Sequence, residues 1–208
     1  MKNEQEKFWS GSFGNNYIKR NNSNELIDCN ENFFKMVFKN KKISQCLEIG
    51  SNIGLNLIAL KKIFPDIDRY AIEINKKAVE ILKKNQKKIK TFHGSLFDEF
   101  PSNWPIQFEL VFTKTVLIHI APRDLDRTYK KIYSLSKKYI LICEYYNPVP
   151  LKVVYRNFKN KLFKRDFAGD LIKKYDDLSI IDYGFTYRND PYFPQDDITW
   201  FLLKKKTK

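Results

Sequence analysis

The chain contains few of the residues that form disulfides or bind metal ions in small proteins. It has three cysteines and two histidines among 208 residues. Cys29, Cys46 and Cys143 are odd in number and far apart, and two of them lie in apolar, strand-like runs. This pattern predicts buried free thiols in a reducing cytoplasm rather than disulfides. The two histidines form no recognisable metal cluster with nearby acids, so we expect no bound metal.

Long apolar runs are also missing. No run approaches the roughly 20 residues that cross a bilayer, and the opening MKNEQEKFW lacks the apolar core of a signal peptide. We therefore expect a cytoplasmic protein without membrane insertion. No repeat, linker or low-complexity segment is visible. A content of 43% hydrophobic and 15% aromatic residues predicts one folded domain with a substantial core.

The chain has fewer acidic than basic residues. It contains 24 aspartates and glutamates and 38 lysines and arginines, which gives a net charge of +14. Much of the excess lies in residues 76–90 and in the tail, residues 204–208. Ala78, Val79 and Leu82 form an apolar stripe in the first of these, so its lysines are expected on the solvated face of a helix. That run has no interleaved aromatic residues, unlike proteins that bind single strands. An ordinary charged surface is favoured, and an anionic partner stays open.

The most informative stretch is residues 46–60, CLEIGSNIGLNLIAL. An apolar run passes through Glu48, turns at Gly50, Asn52 and Gly54, and continues as an apolar helix. Strand, glycine turn and helix bring backbone N–H groups against a bound cofactor, and asparagine is one of the few other residues that accept positive φ.

A second apolar run, RYAIEIN, carries an acid near its end. This residue, Glu73, follows Gly50 by 23 positions, a spacing typical of a carboxylate that binds the two hydroxyls of a ribose. The turn and the distant acid together indicate an adenosine-type cofactor, and the alternative is a tight turn that binds no ligand.

The residues of the turn distinguish among cofactors that contain adenosine. Dinucleotide enzymes use G-x-G-x-x-G against a pyrophosphate, whereas this chain has E-x-G-x-N-x-G. Glu48 would repel phosphates but would attract the ammonium of an aminoacyl group. These features favour S-adenosylmethionine, which carries such a group and no phosphate.

With these motifs the chain resembles a class I S-adenosylmethionine-dependent methyltransferase, and more narrowly the pseudaminic acid biosynthesis-associated methylases. Two departures are Ser51 in place of an expected cysteine and Thr115 in place of an expected glycine. The matching stretches cover nearly the whole chain: FWSGSFGNNYIKRN, LEIGSNIGLNL, AIEINKKAVEIL, FELVFTKTVLIHI, ILICEYYNPVP, LFKRDFAGDLIKKY and FPQDDITWFLL.

Alternation of strand and helix signals predicts an α/β fold, and the resemblance specifies it as Rossmann-like. We expect a seven-stranded, mostly parallel sheet with an antiparallel last strand and helices on both faces. Predicted strands cover residues 45–50, 69–73, 90–93, 109–113, 139–144, 180–187 and 198–203. Predicted helices cover residues 54–64, 75–88, 116–120, 122–137 and 166–175, and residues 147–165 are expected to be irregular.

Within one domain, residues 1–208, this arrangement implies four parts. They are an N-terminal lid with helices (1–40), a cofactor-binding core (44–146), an acceptor-side cap (147–176) and a terminal strand pair (177–208).

The expected cofactor contacts lie mainly at strand ends. Ser95 and Leu96 resemble the pair that reads the adenine, although HGSLF is equally typical of a plain turn. In the N-terminal segment, Arg20 would pair with the carboxylate of the cofactor, and the alternative is a docked helix whose arginine faces solvent. The full set is Trp9, Tyr17, Arg20, Glu48, Gly50, Asn52, Gly54, Glu73, Ser95, Leu96, Thr113 and Lys114.

For the acceptor, the resemblance implies a small anionic sugar or nucleotide-sugar of surface-glycan, pseudaminic acid-type biosynthesis. An aliphatic hydroxyl needs a base, and His119 and Glu144 are the candidates, although a lone histidine in an apolar segment is often a core residue. If His119 is the base, a limb of the pH–rate profile is expected near neutrality. Predicted acceptor contacts are Tyr145, Tyr146, Tyr155, Arg156 and Arg165.

Two other functions remain open from the sequence. The charge of +14 is also compatible with a methyltransferase that acts on RNA or protein, and RNA binding would depend steeply on salt. The second alternative is that the chain binds the cofactor without catalysis, as a partner of a glycan enzyme.

Overall fold

The computed structural model describes residues 3–206, which contain one seven-stranded sheet in the order β3-β2-β1-β4-β5-β9-β8 and a separate two-stranded sheet, β6-β7. Pairs β1–β2, β2–β3 and β4–β5 are parallel, whereas β9 is antiparallel to both β5 and β8. The predicted α/β sheet with an antiparallel last strand is confirmed.

The chain forms two compact units, which meet in sequence between Ile106 and Gln107. The first contains α1 (Glu4–Ser10), α2 (Ser12–Arg20), α3 (Asn24–Val37), β1 (Gln45–Ile49), α4 (Leu55–Ile63), β2 (Asp68–Glu73), α5 (Lys76–Asn85) and β3 (Lys90–His93). The second contains β4 (Phe108–Lys114), α6 (Leu125–Leu135), β5 (Ser136–Glu144), β6 (Leu151–Tyr155), β7 (Phe158–Lys164), α7 (Phe167–Lys174), β8 (Leu178–Phe185) and β9 (Thr199–Lys205), with 3₁₀ turns at Leu117–His119 and Pro122–Asp124.

In the first unit the core follows from continuous apolar strands and amphipathic helices. Every residue of β1 after Gln45 is buried, as expected for a strand covered on both faces. Helix α5 begins at the predicted cap, where the Asn75 side chain accepts a hydrogen bond from the Ala78 N–H at 3.0 Å. Its predicted stripe of Ala78, Val79 and Leu82 is buried and its lysines are exposed.

In the second unit, β5 is longer than predicted because residues 136–138 extend the strand instead of ending the helix. The predicted helix over 116–120 is only the 3₁₀ turn Leu117–His119. The end of the chain forms the predicted antiparallel pair, β8 with β9.

The prediction that residues 147–165 are irregular is wrong, because they contain the β-hairpin β6–β7. Its turn consists of Arg156 and Asn157, which have φ values of 47° and 70°. Two successive left-handed residues are typical of two-residue hairpin turns, but the sequence Arg-Asn lacks the glycine that usually signals them.

All three cysteines are free and buried, as predicted. Among residues 3–206 no helix is long and apolar enough to cross a membrane. In the same range, no group of three or more histidine, cysteine, aspartate or glutamate side chains is arranged to hold a metal ion. The last two residues of the basic tail lie outside the described residues.

Candidate active site

The predicted site residues fall into two groups, one in each unit, and each group is described within its own unit. The first surrounds the turn after β1. Gly50, Asn52 and Gly54 have φ values of 73°, 49° and 83°, which are left-handed conformations that glycine and asparagine adopt most readily. The expectation that Asn52 serves in a glycine position is confirmed.

Contacts on either side of this turn leave it little freedom. The N–H groups of Gly50 and Ser51 both donate to the Ile72 carbonyl, at 2.8 and 3.2 Å, and so attach the turn to β2. Gly54 starts α4, and a Cβ atom added there would lie 2.5 Å from Leu82 Cδ1. Gly54 is therefore favoured by its φ, and a Cβ atom there would also require the Leu82 side chain to move.

Glu73 ends β2 with its carboxylate buried against the same turn. Its Oε2 accepts from the Asn52 N–H and its Oε1 from the Asn75 N–H, both at 2.7 Å. Burial raises the pKa of Glu73, and these backbone hydrogen bonds oppose the rise. A carboxylate has about four lone-pair sites, so Glu73 has acceptor capacity for further donors.

Glu48 is the second buried carboxylate of this region, with 1% of its surface exposed. Its Oε1 accepts from the side-chain amide of Asn56 at 2.6 Å. Asn56 lies in the first turn of α4, so the residue that orients Glu48 belongs to the helix that the glycine turn begins. Sequence reasoning missed Asn56, because a polar residue on an apolar helix was the only local signal.

Asn75 connects the N-terminal helices to the end of β2. Besides capping α5, its Nδ2 donates to the Trp9 carbonyl and to Asn15 Oδ1, each at 3.0 Å. The sequence predicted the cap but not this connection. As a result, α1 and α2 are anchored two residues beyond Glu73, the last residue of β2.

Aromatic side chains of the N-terminal segment pack on one another. The ring of Trp9 lies edge-on to Phe13 and Tyr17, with centroids 5.3 and 5.4 Å apart. The Arg20 guanidinium lies over the rings of Phe13 and Tyr17, at 5.6 and 5.9 Å. Arg20 is exposed but is oriented by these rings.

Ser95, just beyond β3, is engaged in a turn. Its N–H donates to Asp98 at 2.7 Å, and its hydroxyl accepts from the Phe97 N–H at 3.2 Å and donates to Glu6 of α1. Leu96 is buried. The bond to Glu6 attaches α1 to the end of β3, so the N-terminal helices are tied to two neighbouring strand ends.

The second group begins at the end of β4. Thr113 is fully buried and Lys114 is half-buried. Thr115 has a φ of 58°, a conformation that a β-branched residue adopts only at an energetic cost. Its N–H donates to the Cys143 carbonyl at 2.8 Å and its hydroxyl to the Lys114 carbonyl at 2.7 Å, which hold it there.

We expect Thr115→Gly to raise the free energy of unfolding by up to about 1 kcal/mol. Glycine relieves the roughly 1–2 kcal/mol cost of the left-handed conformation. Its greater conformational entropy in the unfolded chain cancels only part of this gain. Thr115→Val keeps the branch and loses the hydroxyl bond, so it should lower stability. Urea titration of the three proteins measures the difference. A glycine variant less stable than wild type would contradict the assignment of strain.

Glu144 ends β5 and caps the 3₁₀ turn that follows β4. Its Oε1 accepts from the N–H groups of Val116 and Leu117 at 3.1 and 3.0 Å, and its Oε2 from that of Ile118 at 3.3 Å. Burial raises the pKa of Glu144 to about 7, against the opposing effect of these bonds. The carboxylate thus fixes the backbone immediately before His119.

His119 is buried on that turn, and its Nδ1 lies 2.6 Å from the Lys161 carbonyl oxygen. A carbonyl only accepts, so Nδ1 carries the proton and Nε2 is the acceptor nitrogen. Burial lowers the pKa of His119 to about 4. With this pKa, His119 would not give the limb near neutrality that is expected if it is the base, whereas the pKa of Glu144 lies in that range. Lys161 was missed, because it belongs to the hairpin that the sequence did not predict.

The predicted acceptor residues that follow β5 are engaged with their neighbours. The Tyr145 hydroxyl donates to Asp196 at 3.1 Å, and Lys164 Nζ lies 5.3 Å from the centre of the Tyr145 ring. Tyr146 is exposed, with its ring 6.2 Å from that of Phe201.

The acceptor residues on the hairpin divide into two kinds. Tyr155 faces the site residue His119, with ring centroids 5.0 Å apart. Arg165 pairs with Asp170 at 2.6 Å, which offsets part of its charge. Arg156 lies at the exposed hairpin tip.

A small pocket brings three of the predicted residues together. Glu144, Tyr146 and Arg165 line it, and most of the remaining wall is apolar. The pocket is too small to hold a sugar in this structure, but it brings a carboxyl group, a guanidinium and a phenol beside apolar side chains.

The fold agrees with solved methyltransferases. The plantazolicin methyltransferase BpumL, in complex with a pentazolic desmethylPZN analog and SAH, aligns with a TM-score of 0.67 and 12% identity over 98% of this chain and 95% of BpumL. Magnesium protoporphyrin IX methyltransferase (ChlM) from Synechocystis PCC 6803, with bound SAM, aligns with a TM-score of 0.67 and 11% identity over 99% of each chain. A S-adenosylmethionine-dependent methyltransferase from Clostridium acetobutylicum ATCC 824 aligns at 0.63, with 11% identity over 94% of this chain and 98% of that one.

No protein-family model matches the chain, and no curated protein matches it by sequence. At these identities the structural likeness establishes the fold: the chain has the Rossmann-like fold of class I S-adenosylmethionine-dependent methyltransferases.

Proposed function

We propose that the chain is a S-adenosylmethionine-dependent methyltransferase that acts on a small anionic sugar or nucleotide-sugar of surface-glycan, pseudaminic acid-type biosynthesis. The observation that carries the methyltransferase assignment is the buried Glu73 carboxylate, which accepts the Asn52 N–H of the left-handed turn. The fold supports it, since BpumL and ChlM were solved with SAH and SAM.

The residues of the first unit suit the cofactor. Glu73 would accept the ribose hydroxyls with its remaining lone pairs, and Glu48 would favour the ammonium of the aminoacyl group. The turn would let the ligand approach the backbone closely at Gly50, which has no side chain. The N–H groups of Gly50, Ser51, Asn52 and Gly54 already donate within the protein and so hold the turn in shape. Bound S-adenosylmethionine supplies an electrophilic methyl group.

In the second unit, the residues would orient the acceptor and take its proton. Neutral His119 can accept a proton at Nε2 while Nδ1 stays bonded to the Lys161 carbonyl. A pKa of about 4 makes it a weak base, so it would take the proton only once methyl transfer has made the acceptor oxygen strongly acidic. Because Glu144 caps the turn through three N–H groups, its role would be to position His119 rather than to act as the base.

The anionic acceptor is supported by charge. From Tyr145 to Arg165 the chain has no acidic residue and six lysines and arginines. Tyr155 beside His119 and the exposed ring of Tyr146 offer aromatic faces for a sugar ring. The narrower link to pseudaminic acid-type sugars depends on the motif resemblance.

The direct test is transfer of a labelled methyl group from S-adenosylmethionine to a panel of free and nucleotide-activated nonulosonic-type sugars, with RNA and peptides as parallel acceptors. We expect label in at least one sugar and little effect of added polynucleotide. Labelled RNA or peptide with unlabelled sugars would replace the acceptor assignment. Cofactor binding without transfer to any acceptor would favour a non-catalytic partner.

The proposed N-terminal lid is better tested by point variants than by truncation, because truncation would also remove Ile18 from its cluster with Ile53 and Ala78. We expect Arg20→Gln to weaken S-adenosylmethionine binding about tenfold or more, because a hydrogen bond between charged groups contributes about 1.5–3 kcal/mol. Lys19→Gln removes the same charge one residue away and should bind as wild type. Calorimetric titration compares them, and equal affinities for all three would reject the lid.

A further inference from the structure

The β6–β7 hairpin has an exposed surface whose apolar residues the proposed chemistry does not use. Residues 156–160, around its turn, are all exposed. Large apolar side chains are exposed as well: Val149 by 63%, Leu151 by 48%, Val154 by 61% and Phe158 by 44%. We call this set, with the cations described next, the hairpin surface.

Three exposed cations lie on the same hairpin. Strand alternation places Lys152 on the face of Val154, whereas Phe158 pairs with Tyr155 on the other face, so the cations and apolar side chains lie on both faces of the hairpin around its tip. Lys152, Arg156 and Lys159 form no ion pair with any described residue, in contrast to Lys130 and Lys174, which pair with Asp126. No acid lies nearer in sequence than Glu144 or Asp166. The cationic charge of the surface is therefore not neutralised by its own segment.

We propose that the hairpin surface docks on an anionic lipid bilayer. Exposed aliphatic and aromatic side chains enter the headgroup region, while lysine and arginine are attracted to acidic lipids, and this combination is typical of peripheral membrane contacts. The short left-handed turn of Arg156 and Asn157 holds these side chains on a structured hairpin. Docking of this kind requires no membrane-spanning segment.

Other occupants fit less well. A second copy would bring like charges together, because each hairpin surface carries three unpaired cations. A polynucleotide would use the cations, but valine and leucine side chains do not stack on bases as aromatic rings do, and Phe158 is the only aromatic residue in the set.

The experiment is cosedimentation of the full chain with vesicles of phosphatidylcholine alone or mixed equally with phosphatidylglycerol. We expect binding only to the mixed vesicles. Lys152→Gln/Arg156→Gln/Lys159→Gln should weaken binding on the order of a hundredfold, at about fivefold for each basic residue. Val154→Ser/Phe158→Ser keeps every charge and should also weaken binding.

The matched control is Lys83→Gln/Lys84→Gln/Lys87→Gln, which removes three exposed charges at and after the end of α5, where no large apolar residue is exposed. It should bind mixed vesicles nearly as wild type does, and melting curves establish that each variant is folded. The proposal is overturned if wild type does not sediment with mixed vesicles, or if the control loses as much binding as the hairpin variants. It is also overturned if polynucleotide displaces the protein from vesicles and only the charge variant is affected.

Discussion

Glu73→Ala is expected to weaken S-adenosylmethionine binding by about 1–3 kcal/mol, or about 5- to 150-fold in Kd, because the ribose hydroxyls lose a buried acceptor. The structure adds a second effect. The carboxylate also accepts the N–H groups of Asn52 and Asn75, so the variant should be less stable without ligand. Calorimetric titration and thermal melting measure the two effects separately.

Asn75→Ala is the matched control for the structural part of this loss. It removes the α5 cap and the bonds to Trp9 and Asn15, but it leaves the Glu73 carboxylate and the Asn75 N–H in place. We expect a comparable fall in melting temperature with a smaller change in affinity. A folded Glu73→Ala protein with wild-type affinity would remove Glu73 from the cofactor site and weaken the cofactor assignment itself.

The conformation of the turn after β1 was predictable because its signals are local. Gly50, Asn52 and Gly54 are residue types that tolerate left-handed φ, and Glu73 sits where the next strand ends. What the sequence did not show is that the Glu73 carboxylate is itself part of the turn. That contact joins residues 21 positions apart, and no composition or spacing rule specifies which backbone N–H faces a buried carboxylate.

The surroundings of Glu144 and His119 were less predictable because their contacts are more distant in sequence. Glu144 reaches back 28 residues to Val116, and His119 reaches forward 42 residues to the Lys161 carbonyl. Both contacts involve elements that the sequence did not predict correctly. One is a short 3₁₀ turn where a helix was predicted, and the other is a hairpin without a glycine in its turn. The pKa values of the two groups depend on burial, which is a property of the fold rather than of either residue. The sequence made both residues candidates but could not indicate the direction in which the pKa of either is shifted.

His119→Gln is expected to lower turnover on the order of a hundredfold with cofactor affinity unchanged, since it removes the acceptor nitrogen of the proposed base. Tyr155→Phe is the matched control, because it keeps the ring beside His119 and should retain most activity. Glu144→Gln tests positioning: it should also lower turnover, and it should remove the limb of the pH–rate profile near pH 7 that the Glu144 pKa predicts. Full activity of both His119→Gln and Glu144→Gln would mean that catalysis needs no protein base, as for an acceptor more acidic than an aliphatic hydroxyl.

The same two residues give a test that does not depend on the acceptor, because their pKa shifts have opposite signs. Burial raises the pKa of Glu144 from 4.5 to about 7, so the folded state holds a proton that the unfolded state has released, and stability falls as pH rises through this range. Burial lowers the pKa of His119 from 6.5 to about 4, so the unfolded state holds the extra proton, and stability rises with pH over that range.

In the wild type the two contributions oppose each other between about pH 4.5 and 6.5. Replacing either residue should therefore leave the pH dependence of stability that the other residue contributes. The free energy of unfolding of Glu144→Gln should rise with pH through this window, whereas that of His119→Gln should fall. Urea titrations at intervals of pH measure both, relative to wild type. If the two variants showed the same slope, at least one side chain would be solvated rather than buried, and the description of Glu144 as the buried cap of the His119 turn would be wrong.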